Sequence, residues 1–178
     1  MHIPDGFIDI KTSAAFAAAS AVAVAGAVKG ARRQLSEQSA PLAGLTAVFI
    51  FAVQMLNFPV AAGTSGHLIG AALAMVLVGP YAATLALVVV LIIQAFLFAD
   101  GGLTALGLSI FNMAVISVWV SFAVFMLMKK IFPKTKSWLV IATFVSALIS
   151  VPAAAVGFVI QYAIGANATF SVSAVLNA

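Results

Sequence analysis

Cysteine is absent from this sequence. That excludes disulfides and thiolate metal sites. Charge is nearly absent as well. Only 7% of the 178 residues are Asp, Glu, Lys or Arg, against roughly 25% in a soluble domain. So little charge cannot cover a globular surface in water. With 65% hydrophobic residues and a mean hydropathy of +1.24, an integral membrane protein is the class that fits. Acids are scarcer than bases, four against eight. In a soluble chain a net charge of +4 would invite a nucleic-acid reading. Here the basic residues read as topology signals, and no nucleic-acid partner is expected. A phosphate-binding loop is missing too, because the glycines of 63–66 lack a following Lys and Ser/Thr at the required spacing. Nucleotide chemistry on this chain is therefore not expected. Alternating strands are also missing, and long apolar runs in their place argue against a β-barrel. No basic segment precedes an apolar core at the start, where Pro4, Asp5 and Asp9 stand instead, so no signal peptide is expected. A bulky second residue disfavours removal of Met1, so the mature chain is expected to begin there.

The chain reads as one domain, 1–178, an all-α bundle of six to seven membrane helices. Residues 1–11 are polar, and Pro4-Asp5-Gly6 predicts a tight turn. Thr12 or Ser13 is expected to cap a first helix, rich in small residues and ending near Ala31. A second span is expected at 42–58 and a short third at 68–78, stopped by Gly79-Pro80. A fourth follows at 81–98, a fifth at 104–128 and a sixth at 138–164, with a kink at Pro152. After a turn at 165–167 the remaining residues look like the start of a seventh. Seven of the eight basic residues lie in the loops 29–33 and 129–136. The positive-inside rule then puts those loops in the cytoplasm and the N-terminus outside. The same count of spans puts His67 on the outer face with His2.

Those are the only two histidines. A histidine in second place sets three nitrogens in a row: the α-amine of Met1, the His2 amide and the His2 imidazole. They close a five- and a six-membered chelate ring around one ion. Three coplanar nitrogens suit Ni(II), Cu(II) or Co(II). If a fourth strong nitrogen is needed, His67 is the candidate. Taken singly, each histidine has a plainer reading. His2 could be an exposed residue near a terminus, and His67 a helix-start residue bonded within the Thr64-Ser65 loop. Together on one face they are more informative, and a histidine beside a membrane span is a functional candidate. Asp100 is a lone acid at a membrane boundary, without the second buried carboxylate that acid–base catalysis would want. Gln54, Asn57, Gln94, Asn112 and Gln161 read as interhelical glue more readily than as ligands.

Three segments carry a resemblance: Met1-His-Ile-Pro-Asp-Gly-Phe7, Gly63-Thr-Ser-Gly-His-Leu-Ile-Gly-Ala-Ala72, and Asp100-Gly-Gly-Leu-Thr-Ala-Leu-Gly107 followed by Phe111-Asn-Met113. Along essentially its whole length the chain resembles the CbiM/NikM family. These are the substrate-binding membrane components of cobalt and nickel energy-coupling-factor transporters, and the cobalt branch is the closer likeness. The resemblance implies Co(II) or Ni(II) as transported substrate, held by the amine of Met1, the amide and imidazole of His2, and His67. It implies a transmembrane coupling subunit, cytoplasmic ATPase subunits and a small accessory membrane protein as partners. It also implies a multi-pass location in a bacterial or archaeal cytoplasmic membrane, cobalt supply for cobalamin biosynthesis, and no enzymatic activity on this chain. Family members continue through a further C-terminal helix beyond the point where this chain stops. Asp5, Asn57, Thr64 and Ser65 are expected to orient the imidazoles from outside the ligand set. The alternatives are a nickel-specific member of the family, a metal transporter or channel driven by an ion gradient, and a small membrane enzyme using Asp100 or His67.

Overall fold

The computed structural model describes residues 2–37, 40–59, 65–132 and 137–167. They form a helical bundle: α1 (Ile10–Gln34), α2 (Ala40–Gln54), α3 (Ala71–Leu97), α4 (Leu106–Ile110), a π-helical turn (Phe111–Ile116), α5 (Ser117–Ile131) and α6 (Trp138–Gly165). Two strands of two residues each, β1 (Phe58–Pro59) and β2 (Ser65–Gly66), pair antiparallel between α2 and α3. Four stretches are long and apolar enough to cross a bilayer: Ile10–Gln34, Ala71–Leu97, Leu106–Ile131 and Trp138–Gly165. The protein is therefore a multi-pass membrane protein. The seventh helix expected after residue 167 lies outside the described residues.

α1 begins earlier than Thr12 or Ser13, because Asp9 is the cap. Its carboxylate accepts from the N–H groups of Lys11 (2.9 Å) and Thr12 (3.0 Å) and from the Thr12 hydroxyl (2.7 Å). A carboxylate satisfies two orphan donors and also complements the positive helix end. The helix runs past Ala31 to Gln34, with Arg32 and Arg33 in its last turn, where cations are favoured. Few of its small residues pack inside this chain: Ala27, Ala31 and Ser20 are buried, the Ser20 hydroxyl donating to the Gly107 carbonyl at 2.7 Å, while Ala14, Ala15, Ala18, Ala19, Ala21 and Ala25 are exposed. α2 stops at Gln54 rather than 58. The Gln54 side chain is fully buried and donates to the Ile69 carbonyl at 2.7 Å.

α3 covers both the short third span and the fourth span expected on either side of Gly79-Pro80. Its 27 residues would make a straight rod about 40 Å long. Yet its flanks meet. The His67 ring lies 5.0 Å from the His2 ring, and Asp100 lies 3.6 Å from the same imidazole. The helix must therefore fold back. The reversal is at Gly79, whose φ of 78° and ψ of 166° interrupt the helix. Pro80 follows, without an N–H to continue the first arm. α3 is thus a hairpin of arms 71–78 and 80–97. Its tip packs against Gln34, at the end of the bundle that carries Arg32 and Arg33. Both feet stand at the opposite end, beside the N-terminal peptide.

The main core gathers Leu87, Leu91, Met113 and Val118 from α3, the π turn and α5. A second, smaller cluster of Ile3, Ile8, Ala105, Leu108 and Tyr162 lies under the N-terminal peptide. Asn112 and Gln161 bridge the π turn and α6. α6 continues through Pro152 as one helix, because a proline can be absorbed where neighbouring helices support the chain.

Candidate metal centre

The N-terminal peptide is pinned along its length. The Pro4-Asp5-Gly6 turn forms as expected, with the Phe7 N–H donating to the Pro4 carbonyl (3.4 Å) and Gly6 at φ 78°. Ile3 is 2% exposed. Its N–H donates to the Ser109 hydroxyl at 3.3 Å, and its carbonyl accepts from the Gly102 N–H at 2.8 Å. The Asp5 carboxylate accepts from the N–H groups of Leu103 (3.2 Å) and Thr104 (2.7 Å) and from the Thr104 hydroxyl. A side chain at Gly102 would collide with the Asp5 amide and carboxylate, so a glycine is required for this close approach. Farther along, the Asn167 amide donates to the Gly6 carbonyl (2.7 Å), and Phe7 stacks on Phe158 and lies tilted against Tyr162.

This clamp buries the His2 side chain to 8% exposure. The peptide lies against the loop after α3, where Gly101 packs on the His2 Cβ. His67 arrives from the other foot of the hairpin. Its Nδ1 is 3.1 Å from the Leu68 carbonyl. A neutral ring donating from Nδ1 carries its lone pair on Nε2. The two ring centroids are 5.0 Å apart and the planes are tilted by 32°. With metal–nitrogen bonds of about 2.0 Å, two imidazoles on one ion would have centroids about 4.5 Å apart if adjacent and about 6.3 Å if opposite. The observed separation is near the adjacent value. In a planar set of amine, amide, imidazole and a fourth nitrogen, the fourth sits next to the His2 ring. The Met1 amine itself lies outside the described residues. Among those residues no three His, Cys, Asp or Glu side chains form a metal cluster.

Burial pushes the His2 imidazole down from 6.5 to about 4, against the raising pull of the nearby Asp100 carboxylate. Burial also lowers His67. Both rings are therefore neutral at neutral pH, the form that binds metal. A polar cavity of about 360 Å³ opens beside His2, lined by Pro4, Asp5, Ala99, Asp100, Gly101 and Gly102.

The structure brings His2 and His67 together. Of the expected orienting residues, Asp5 engages Leu103 and Thr104 instead of an imidazole. It positions the peptide rather than a ring. Asn57 is exposed. Thr64 and the Ser65 side chain lie outside the described residues. Sequence reasoning noted Asp100 as a lone acid but missed its place beside His2, 3.6 Å from the imidazole. Its sequence signal was isolation: one carboxylate at a membrane boundary with no partner to explain it.

Comparison with known proteins gives the family and the fold. Residues 2–178 match the family model described as "CbiM: Cobalt uptake substrate-specific transmembrane region". The fused nickel transport protein NikMN of Rhodobacter capsulatus is 42% identical over 127 residues, which are 71% of this chain and 37% of that one. The cobalt transport protein CbiM 1 of Pelobacter propionicus is 36% identical over 129 residues, 71% of this chain and 57% of that one. The chain thus spans less than two thirds of either relative. A crystal structure titled as a truncated transition metal transporter superposes with a TM-score of 0.82 at 34% identity, covering 90% of this chain and 73% of that one.

Proposed function

Because the chain belongs to the CbiM family of cobalt uptake substrate-specific transmembrane regions, we propose that it is the metal-capturing subunit of an ATP-driven importer of the energy-coupling-factor type. Its substrate is Co(II) or Ni(II). The ion is held by the Met1 amine, the His2 amide, the His2 imidazole and His67. The observation that carries this reading is the 5.0 Å approach of His2 and His67, produced by a peptide clamped at one side and a helical hairpin at the other.

The orientation follows the charges. Arg32, Arg33, Lys129 and Lys130 end their helices and face the cytoplasm of a bacterial or archaeal cell, while the histidines face outward. Counted with the two hairpin arms separate, six helical segments enter the membrane. ATP is bound by partner ATPase subunits, through a transmembrane coupling subunit and with a small accessory membrane protein. Co(II) supply to cobalamin synthesis is the role that goes with the cobalt branch. The nickel name of one relative keeps Ni(II) as the second reading.

Metal analysis tests the proposal. Purified protein with an unmodified start should carry or take up about one Co(II) or Ni(II), and His67→Ala should lose most of that affinity with its helical content unchanged. Equal metal content in the variant would remove His67 from the site. Concentrative uptake by this chain alone in liposomes with an imposed ion gradient would favour the gradient-driven alternative.

A further inference from the structure

The two nitrogens of His2 have different surroundings, and chelation assigns them different roles. Only Nδ1 is close enough to the His2 amide to close a six-membered ring with it. Metal on Nδ1 leaves the proton on Nε2. Nε2 is buried and hydrogen-bonded to nothing among the described residues, and the Asp100 Oδ2 is 3.6 Å away. A buried N–H without an acceptor is costly, so loading would create a need that one neighbour can meet.

Asp100 is held where it can meet that need. Its N–H donates to the Gln94 carbonyl at 3.0 Å, and Gly102, two residues on, donates to the Ile3 carbonyl. The residue before it, Ala99, has φ 52° and is the non-glycine positive φ recorded among the described residues. Left-handed backbone at an alanine is unfavourable and survives where surrounding contacts enforce it. The other acids have different employment or place. Asp5 holds Leu103 and Thr104, Asp9 caps α1, and Glu37 follows α1 at the opposite end. A divalent ion bound to a deprotonated amide leaves one net positive charge, and one carboxylate balances it.

We infer that Asp100 orients the His2 imidazole through Nε2–H and neutralises the loaded site, the 3.6 Å gap closing to a charge-assisted hydrogen bond of about 2.8 Å. Asp100 is a positioning residue, not a ligand. The inference rests on the metal-capture reading, and its test keeps the two apart.

The experiment titrates Ni(II) into purified protein with an unmodified N-terminus, for the parent and for Asp100→Ala, Asp100→Asn and Asp100→Glu. It reads affinity, the ligand-field absorption of the loaded protein, and the melting temperature of the metal-free protein. Loss of an outer carboxylate partner lowers metal affinity about 10- to 100-fold. That loss is expected for Ala and Asn, with the absorption band at the parent's wavelength and metal-free melting unchanged. Glu should recover most of the affinity. Should Ala fail to fold, the contrast between the isosteric Asn and Glu decides. Parental affinity in Ala and Asn overturns the inference. So does a shifted absorption band, which would make Asp100 a ligand, or a fall in metal-free melting that tracks the affinity loss. A parent that binds neither Ni(II) nor Co(II) fails the metal-capture reading itself.

Discussion

Asn112 and Gln161 hold each other by two reciprocal hydrogen bonds, 2.8 Å from the Asn112 amide to the Gln161 oxygen and 3.1 Å in return. Both side chains are fully buried. The pair joins the π turn to α6 inside the bundle, and Asn112's carbonyl also accepts from the Ser117 hydroxyl at 3.1 Å. Leaving one buried amide without its partner costs about 1–3 kcal/mol. Asn112→Leu alone should therefore lower thermal stability in detergent, as should Gln161→Leu. The double variant should lose less than the sum of the two. Strict additivity in that double-mutant cycle would show that the pair contributes no coupling.

The Gly79 reversal makes a second prediction. A Cβ there would meet the Gln34 side-chain amide, and φ of 78° is unfavourable for any residue with one. Gly79→Ala should destabilise the protein by about 1–2 kcal/mol. Metal affinity should fall as well, because both feet of the hairpin serve the site. An unchanged melting temperature would show that the turn relaxes without cost.

Acid should undo the N-terminal clamp. The His2 imidazole titrates near 6.5 in an unfolded chain and near 4 when docked, so the folded state binds fewer protons between those values. Stability associated with docking is complete above about pH 6.5 and is lost as pH falls toward about 4. Asp5 acts in the same direction at lower pH, since the Thr104 hydroxyl and backbone hold its carboxyl below the usual range. Hydrogen exchange at Ile3 and Gly102 in metal-free protein should accelerate across that window. His2→Ala should remove the upper part of the effect, and an identical pH profile in that variant would assign it elsewhere.

The proposed chelate requires a free amine at Met1. An extension before Met1 converts the amine to an amide and abolishes a donor. An N-terminal tag should therefore remove high-affinity binding of Co(II) or Ni(II), and cleavage back to Met1 should restore it. Tight binding with the tag in place would exclude the amine.

Orientation can be read by cysteine labelling, since no native cysteine competes. Ser36→Cys and Ser137→Cys should resist an impermeant thiol reagent applied outside cells, while Leu103→Cys should react. Leu103 is a better probe than Thr104, whose hydroxyl holds Asp5. The reverse labelling pattern would invert the topology.

Much of this was legible in the sequence, and the rest was hidden for one reason. Gly79-Pro80 announced a helix stop because proline and glycine act on their own backbone. The shared face of His2 and His67 followed from loop charges, which act through the bilayer rather than through contacts. The Asp9 cap was passed over because Thr12 and Ser13 are equally good cap types, and three-dimensional reach chose among them. The tasks of Asp5 and Asp100 depend on partners about a hundred positions away. Such pairings have no local periodicity, so nothing in either neighbourhood distinguished a strap from a ring-orienting group. Isolation of a single acid was the available clue for Asp100.

The hairpin of α3 makes the site behave like the jaws of a pair of tongs. His67 and Asp100 lie beyond the two free ends, His2 lies between them, and the pivot is the single interrupted residue Gly79. The longer arm, 80–97, is about 27 Å from pivot to tip. Five degrees of rotation at the pivot therefore moves its far end by about 2 Å. That displacement is as large as a metal–nitrogen bond, about 2 Å. At the other end of this lever, a rotation too small to disturb the packing beside Gln34 would be enough to draw Asp100 away from the His2 imidazole, 3.6 Å from it at rest.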